Sequence, residues 1–129
     1  MTQQDRFSGI WHSKYTYTSS GRGGEFENEH YLRAHEDGGQ VVFESISGSK
    51  SYVIIRMTVH EKIVTGSWQE ETEVDGYYKG AVYYGSIQMV ASEDGKELVG
   101  KWVGFGKDME VNTGPWSLTY VGENPPAQA

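Results

Sequence analysis

Polar and apolar residues alternate along most of this chain with a period of two. Trp11, Ser13, Tyr15 and Tyr17 interleave with His12, Lys14, Thr16 and Thr18. Val53, Ile55, Met57 and Val59 form a second apolar row. Successive side chains of a strand point to opposite faces of a sheet, so this spacing predicts strands with one buried face. Helical periodicity is hard to find. Eight strands are predicted, over about 9–19, 25–35, 40–47, 51–60, 62–72, 78–90, 96–105 and 115–122.

The segments between them carry turn chemistry. Ser20-Gly21-Arg22-Gly23-Gly24, Glu36-Asp37-Gly38-Gly39 and Ser47-Gly48-Ser49-Lys50 close the first three hairpins. Asp75-Gly76 and Asp94-Gly95 are pairs that favour tight turns with positive φ. Short connections make consecutive strands antiparallel neighbours. The predicted fold is therefore all-β, an eight-stranded antiparallel up-and-down meander closed into a β-barrel, which leaves no free edge. A two-sheet sandwich is the alternative. Residues 1–122 read as one domain and 123–129 as a frayed tail.

All four tryptophans stand in a Gly-x-Trp triplet: Gly9-Ile10-Trp11, Gly66-Ser67-Trp68, Gly100-Lys101-Trp102 and Gly114-Pro115-Trp116. Within a strand each glycine shares a face with its tryptophan, where a missing side chain lets the strand bend and leaves space for an indole. Repetition of that device suits a sheet that curls on itself. The parity of the tryptophans also assigns faces. Tyr15 and Tyr17 point inward on the first strand and Trp68 and Glu70 on the fifth; on the second, the charged row Glu25, Glu27, Glu29, Tyr31, Arg33 faces outward and leaves Asn28 and His30 inward. Trp102 points inward on the seventh. Both faces of the sixth strand carry tyrosine; the row Ala81, Tyr83, Gly85, Ile87, Met89 is the more apolar. Folding the first hairpin about Arg22-Gly23 places Tyr15 near His30 and Tyr17 near Asn28.

Composition narrows the function classes. The 129 residues fit one core, and no run of about 18 apolar residues is present to form a spanning helix. The first residues lack the pattern of a secretory signal, which places the chain in the cytoplasm. Cysteine is absent, which removes disulfides, thiol catalysis and cysteine-based zinc sites. The net charge of −7 offers no basic footprint for nucleic acid. Nine tyrosines in a small barrel can line a pocket with apolar area and hydroxyl tips, or simply serve as good strand residues.

The inward polar residues are the candidate chemistry. Glu70 beside Trp68 has the setting of a carboxyl with a raised pKa, able to act as acid or base; the alternative is a carboxylate at the barrel mouth. His30 could bond a ligand or shuttle a proton; the alternative is a buried histidine bonded to Tyr15. Tyr15, Tyr17, Trp68, Tyr83 and Trp102 are candidate walls of a ligand cavity, with Asn28 orienting the ligand. Residues 104–114 form the longest predicted connection, a lid or a plug, and Lys107 on it could meet an anionic group. No histidine pair has metal-ligand spacing, no Gly-x-Ser-x-Gly occurs, and no cofactor is implied.

The opening Gly9-Ile10-Trp11 at the head of an eight-stranded meander resembles the calycin group: lipocalins, fatty-acid-binding proteins and avidins. That resemblance covers nearly the whole chain and implies a barrel that binds a small molecule inside. The lipocalin Thr-Asp-Tyr loop and late arginine are not recognisable. Nitrobindin-like haem barrels open with Gly-x-Trp-x-Gly-x-Gly, whereas this chain reads His12-Ser13-Lys14-Tyr15 after Trp11, which speaks against haem. Gly100-Lys101-Trp102-Val103-Gly104-Phe105-Gly106 with Asn112-Thr113-Gly114-Pro115-Trp116 is similar to a bacterial domain to which no activity attaches. Three functions follow as expectations. The first is a barrel that binds a small amphipathic or aromatic ligand. The second is a cyclase- or isomerase-type enzyme using Glu70 or His30. The third is a sensory or interaction module with a filled core, which could form a homodimer.

Overall fold

The computed structural model describes residues 7–18, 24–46, 51–72, 80–106 and 109–124. The expected turns at 20–23, 47–50 and 75–76, the loop residue Lys107 and tail residues 125–129 lie outside them. Among the described residues eight strands are present: β1 (Gly9–Thr18), β2 (Glu25–Asp37), β3 (Gln40–Ser45), β4 (Tyr52–His60), β5 (Ile63–Glu71), β6 (Val82–Ala91), β7 (Glu97–Phe105) and β8 (Val111–Gly122). Each pairs antiparallel with the next, and β8 pairs with β1. The result is a closed meander barrel. Among the described residues no helix is long and apolar enough to cross a membrane.

The inward rows follow the parity of the sequence. Val53, Ile55, Met57, Val64, Leu98 and Leu118 are fully buried. On β6 the row containing Ile87 and Met89 faces the core, while Val82 and Tyr84 are exposed. At one end of the barrel Trp11 meets Phe43 and Tyr120 edge-on, at 5.5 Å each, and its indole N–H donates to the Phe7 carbonyl at 2.8 Å. Phe7, Trp11 and Phe43 are at most 1% exposed, so this end is closed by aromatic side chains.

Three expectations need correction. Tyr15 pairs with Asn28 and Tyr17 with Phe26, while His30 lies opposite Ser13. The hairpin has therefore slipped by two residues from the expected register, a shift that keeps every side chain on its face. β2 runs on to Asp37, because Gly38 and Gly39 at φ of 58° and 90° complete the reversal by themselves. β8 begins at Val111, with Asn112, Thr113 and Gly114 laddered to Gly104, Val103 and Trp102. The supposed lid or plug over 104–114 is mostly strand. Its connection shrinks to 106–110, where Met109 at φ 63° turns the chain and its N–H bonds the Gly106 carbonyl at 3.0 Å.

The tryptophans use glycines on neighbouring strands as well as their own. Trp68 on β5 lies opposite Gly85 on β6. Its indole passes over that strand and donates to the carbonyls of Ser86 at 3.1 Å and of Val103, on β7, at 3.3 Å. A Cβ on Gly104 would stand 2.7 Å from the Trp68 ring. Trp102 on β7 repeats the move: it lies opposite Gly114 on β8 and donates to Thr16 of β1 at 3.0 Å. Trp116 lies opposite Gly100 and donates to the Ser13 hydroxyl at 2.8 Å. Bare backbone at Gly85, Gly104 and Gly114 leaves space for the Trp68 and Trp102 rings, and each of the three N–H groups is satisfied. An unpaired buried donor would cost about 1–3 kcal/mol.

Candidate functional site

The two ends of the barrel differ. At the closed end the connections span 38–39, 61–62 and 92–96. At the other end they span 19–24, 46–51, 72–81 and 106–110, and are longer on the whole. The inward polar residues gather below these longer connections.

Their floor is aromatic. Trp68 and Trp102 meet edge-on with ring centres 5.4 Å apart, and Trp68 lies 5.9 Å from Trp116. The Tyr15 ring packs on Trp116 at 4.4 Å and meets Trp102 edge-on at 6.5 Å. Tyr17 extends the cluster toward the mouth, 6.1 Å from Tyr15 and stacked on Phe26 at 5.8 Å. These contacts follow from the register, since Tyr15 pairs with Trp116 across β1 and β8.

A chain of hydrogen bonds lies against this floor. Asn28 Nδ2 donates to the Tyr15 hydroxyl at 2.9 Å. The Tyr15 hydroxyl donates to Glu70 Oε1 at 2.5 Å. The Ser51 side chain also bonds the Glu70 carboxylate. His30 Nε2 lies 2.6 Å from Ser51 Oγ, and its ring is stacked on Tyr15 with centres 6.2 Å apart. Four residues from three strands or strand ends are thus linked, through Tyr15 and Ser51, to one glutamate that is 7% exposed. Tyr83 stands beside them, paired with Glu70 across β5 and β6 and half-buried.

Burial dominates the electrostatics. It raises the Glu70 carboxyl above its ordinary value, against the opposing pull of the bonds from Tyr15 and Ser51. It pushes the Tyr15 phenol well up, helped by the neighbouring Glu70 charge. It lowers His30 to about 4, with His12 adding a smaller push in the same direction. His30 is therefore neutral at pH 7 and Tyr15 keeps its proton. Burial moves the Glu70 titration up toward neutrality and that of His30 down away from it, so an acid–base role would fall to Glu70 before His30.

The structure thus brings Tyr15, Asn28, His30 and Glu70 into one network, over a floor that includes Trp68 and Trp102. Tyr17 and Tyr83 flank it. Sequence reasoning missed Ser51, which links His30 to Glu70. Parity could have found it, because Ser51 shares the row of Val53 and Ile55. The expected alternative for His30, a bond to Tyr15, is replaced by a ring stack on Tyr15 and a bond to Ser51.

The ion pairs among the described residues are peripheral. His12–Glu29, Lys14–Glu27 and Lys62–Glu93 pair on the outer surface. Among the described residues no three His, Asp or Glu side chains gather as a metal site. No protein-family model matches the chain, and no curated protein is significantly similar to it.

Proposed function

We propose that this barrel binds a small amphipathic or aromatic molecule at the end of its lumen where Tyr15, Asn28 and Glu70 meet. The observation that carries the proposal is the buried Glu70 carboxyl, held by Tyr15 and Ser51 against an aromatic floor. Removing a carboxylate from water costs several kcal/mol even after relaxation. A barrel interior with no task beyond packing is cheaper to fill with apolar residues, as the closed end here is. Convergent polar groups among aromatic rings are the composition of a small-ligand site. The closed eight-stranded meander and the Gly9-Ile10-Trp11 opening support a place in the calycin group, whose habit is the same.

A thermal-shift and native mass-spectrometry screen against metabolite pools tests the proposal. A bound mass with a matching rise in Tm supports it. Failure of every compound class to bind or to stabilise the protein would end it.

The raised Glu70 carboxyl, in direct contact with Tyr15, favours a second reading, in which the bound molecule is isomerised or cyclised with Glu70 as the acid or base. Glu70→Gln distinguishes the two. Turnover lost with binding retained supports the enzyme; unchanged turnover rejects Glu70 as its acid or base.

A further inference from the structure

The directions of the hydrogen bonds specify what the site lacks. Tyr15 uses its one hydroxyl hydrogen on Glu70, and Asn28 uses an amide hydrogen on Tyr15. Ser51 has a single hydrogen, and its bond to the ionised Glu70 consumes it. The contact between His30 and Ser51 must then run from His30 Nε2–H to Ser51 Oγ. This sets the histidine tautomer and leaves Nδ1 as a bare acceptor. Nδ1 is buried and has no hydrogen-bond partner. Donor hydrogens thus run inward to Glu70 from both sides, and the His30 Nδ1 acceptor is left over beside one spare Asn28 amide hydrogen.

Charge points the same way. Six lysines and arginines fall among the described residues: Lys14, Arg33, Arg56, Lys62, Lys96 and Lys101. All six are exposed. Glu70 forms no ion pair with any of them. The electron-rich rings of Tyr15, Trp68 and Trp102 cluster in the same region. An anionic ligand would meet one carboxylate, several acceptors and no described cation. An ammonium meets a counter-charge, acceptors for its N–H groups and a neighbouring cluster of electron-rich rings.

Resting on the ligand-binding reading above, we infer that the ligand is an organic cation, an amine carried on an aromatic or apolar frame. Its nitrogen sits against Glu70 and its frame against the Trp68–Trp102 floor. Binding of the ammonium also holds the carboxylate ionised, which supplies the charge that burial alone disfavours.

Three indole compounds with short side arms separate the possibilities: tryptamine, tryptophol and indole-3-acetate. They offer an ammonium, a hydroxyl and a carboxylate on one ring system. Titration calorimetry of each with the intact chain at about pH 8 should rank tryptamine first, about ten-fold or more tighter than tryptophol, a gap in keeping with one desolvated charge contact. Indole-3-acetate should be weakest. In Glu70→Gln the preference for tryptamine over tryptophol should shrink to about two-fold or less, since the amide keeps the shape and loses the charge. Circular dichroism confirms that the variant is folded, and Glu70→Asp, which keeps the charge, should retain a preference for the amine. Equal binding of the three compounds, preference for the carboxylate, or an unchanged preference in Glu70→Gln overturns the cation assignment and leaves the ligand-binding reading standing. The same holds if none of the three binds while a neutral or anionic metabolite stabilises the protein. Absence of binding by any compound class overturns both.

Discussion

The Tyr15 hydroxyl and the Glu70 carboxylate lie 2.5 Å apart although 55 positions separate them in the chain. β1 and β5 are not neighbours in the barrel, so this bond crosses the barrel interior. It ties the outcome of barrel closure to the ionisation of one acid. Tyr15→Phe removes the donor from Glu70 and the acceptor from Asn28. The expected loss is about 1–3 kcal/mol, the usual cost of unpaired buried polar groups. Urea denaturation measures it. Because the Tyr15 bond pulls the Glu70 carboxyl down, its pKa should rise further in Tyr15→Phe. A double-mutant cycle with Glu70→Gln should show coupling of about 0.5 kcal/mol or more, as contacting groups do.

Two groups in the network give stability opposite dependences on pH. His30 is lowered to about 4 from 6.5, so folding favours its neutral form. Its contribution is complete above pH 6.5 and is lost as pH falls through about 4, with a ceiling of about 3 kcal/mol. Glu70 is raised above 4.5, so folding favours its protonated form. Its contribution is complete below that value and is lost as pH rises through the folded pKa. Denaturation curves at a series of pH values should show His30→Gln with a flatter acid limb than wild type. Glu70→Gln should gain on wild type as pH rises from about 4.5. An acid limb unchanged by His30→Gln would contradict the assignment.

The indole crossings make glycines on adjacent strands sensitive positions. In Gly104→Ala the new methyl would stand 2.7 Å from Trp68 Cζ2 and 3.3 Å from Cη2. Trp68 is held by its bonds to Ser86 and Val103 and cannot swing away freely. Overpacking of this kind costs about 1–3 kcal/mol. Trp68→Phe, with its smaller ring, should absorb part of the loss in the double variant. Chemical denaturation followed by circular dichroism reads both, and a Gly104→Ala effect under about 0.5 kcal/mol would show that the crossing is loose.

Much of this fold was legible because one face of every strand is buried. The period of two followed directly; parity from the tryptophans put Tyr15, Trp68 and Glu70 inside, and the charged opposite row of the second strand put Asn28 and His30 there. Register was less accessible, since a slip of two residues changes partners without changing faces; Tyr15 met Asn28 where His30 was expected. The stretch 104–114 misled because its glycines look like loop residues. Gly104 and Gly114 instead sit in strands, where they make room for Trp68 and lie opposite Trp102. The bond from Tyr15 to Glu70 could not be read locally, as it depends on how the barrel closes around its axis.

The most direct measurement follows the Glu70 carboxyl itself. Protein carrying carbon-13 at the glutamate carboxyl, with Glu70→Gln used to assign the signal, is titrated with a compound that stabilises the fold in the screen. The account predicts that the Glu70 resonance moves and saturates with the same affinity as the thermal shift, while the exposed Glu29 and Glu93 stay still. A compound that binds and stabilises the protein while leaving the Glu70 signal unmoved would contradict it.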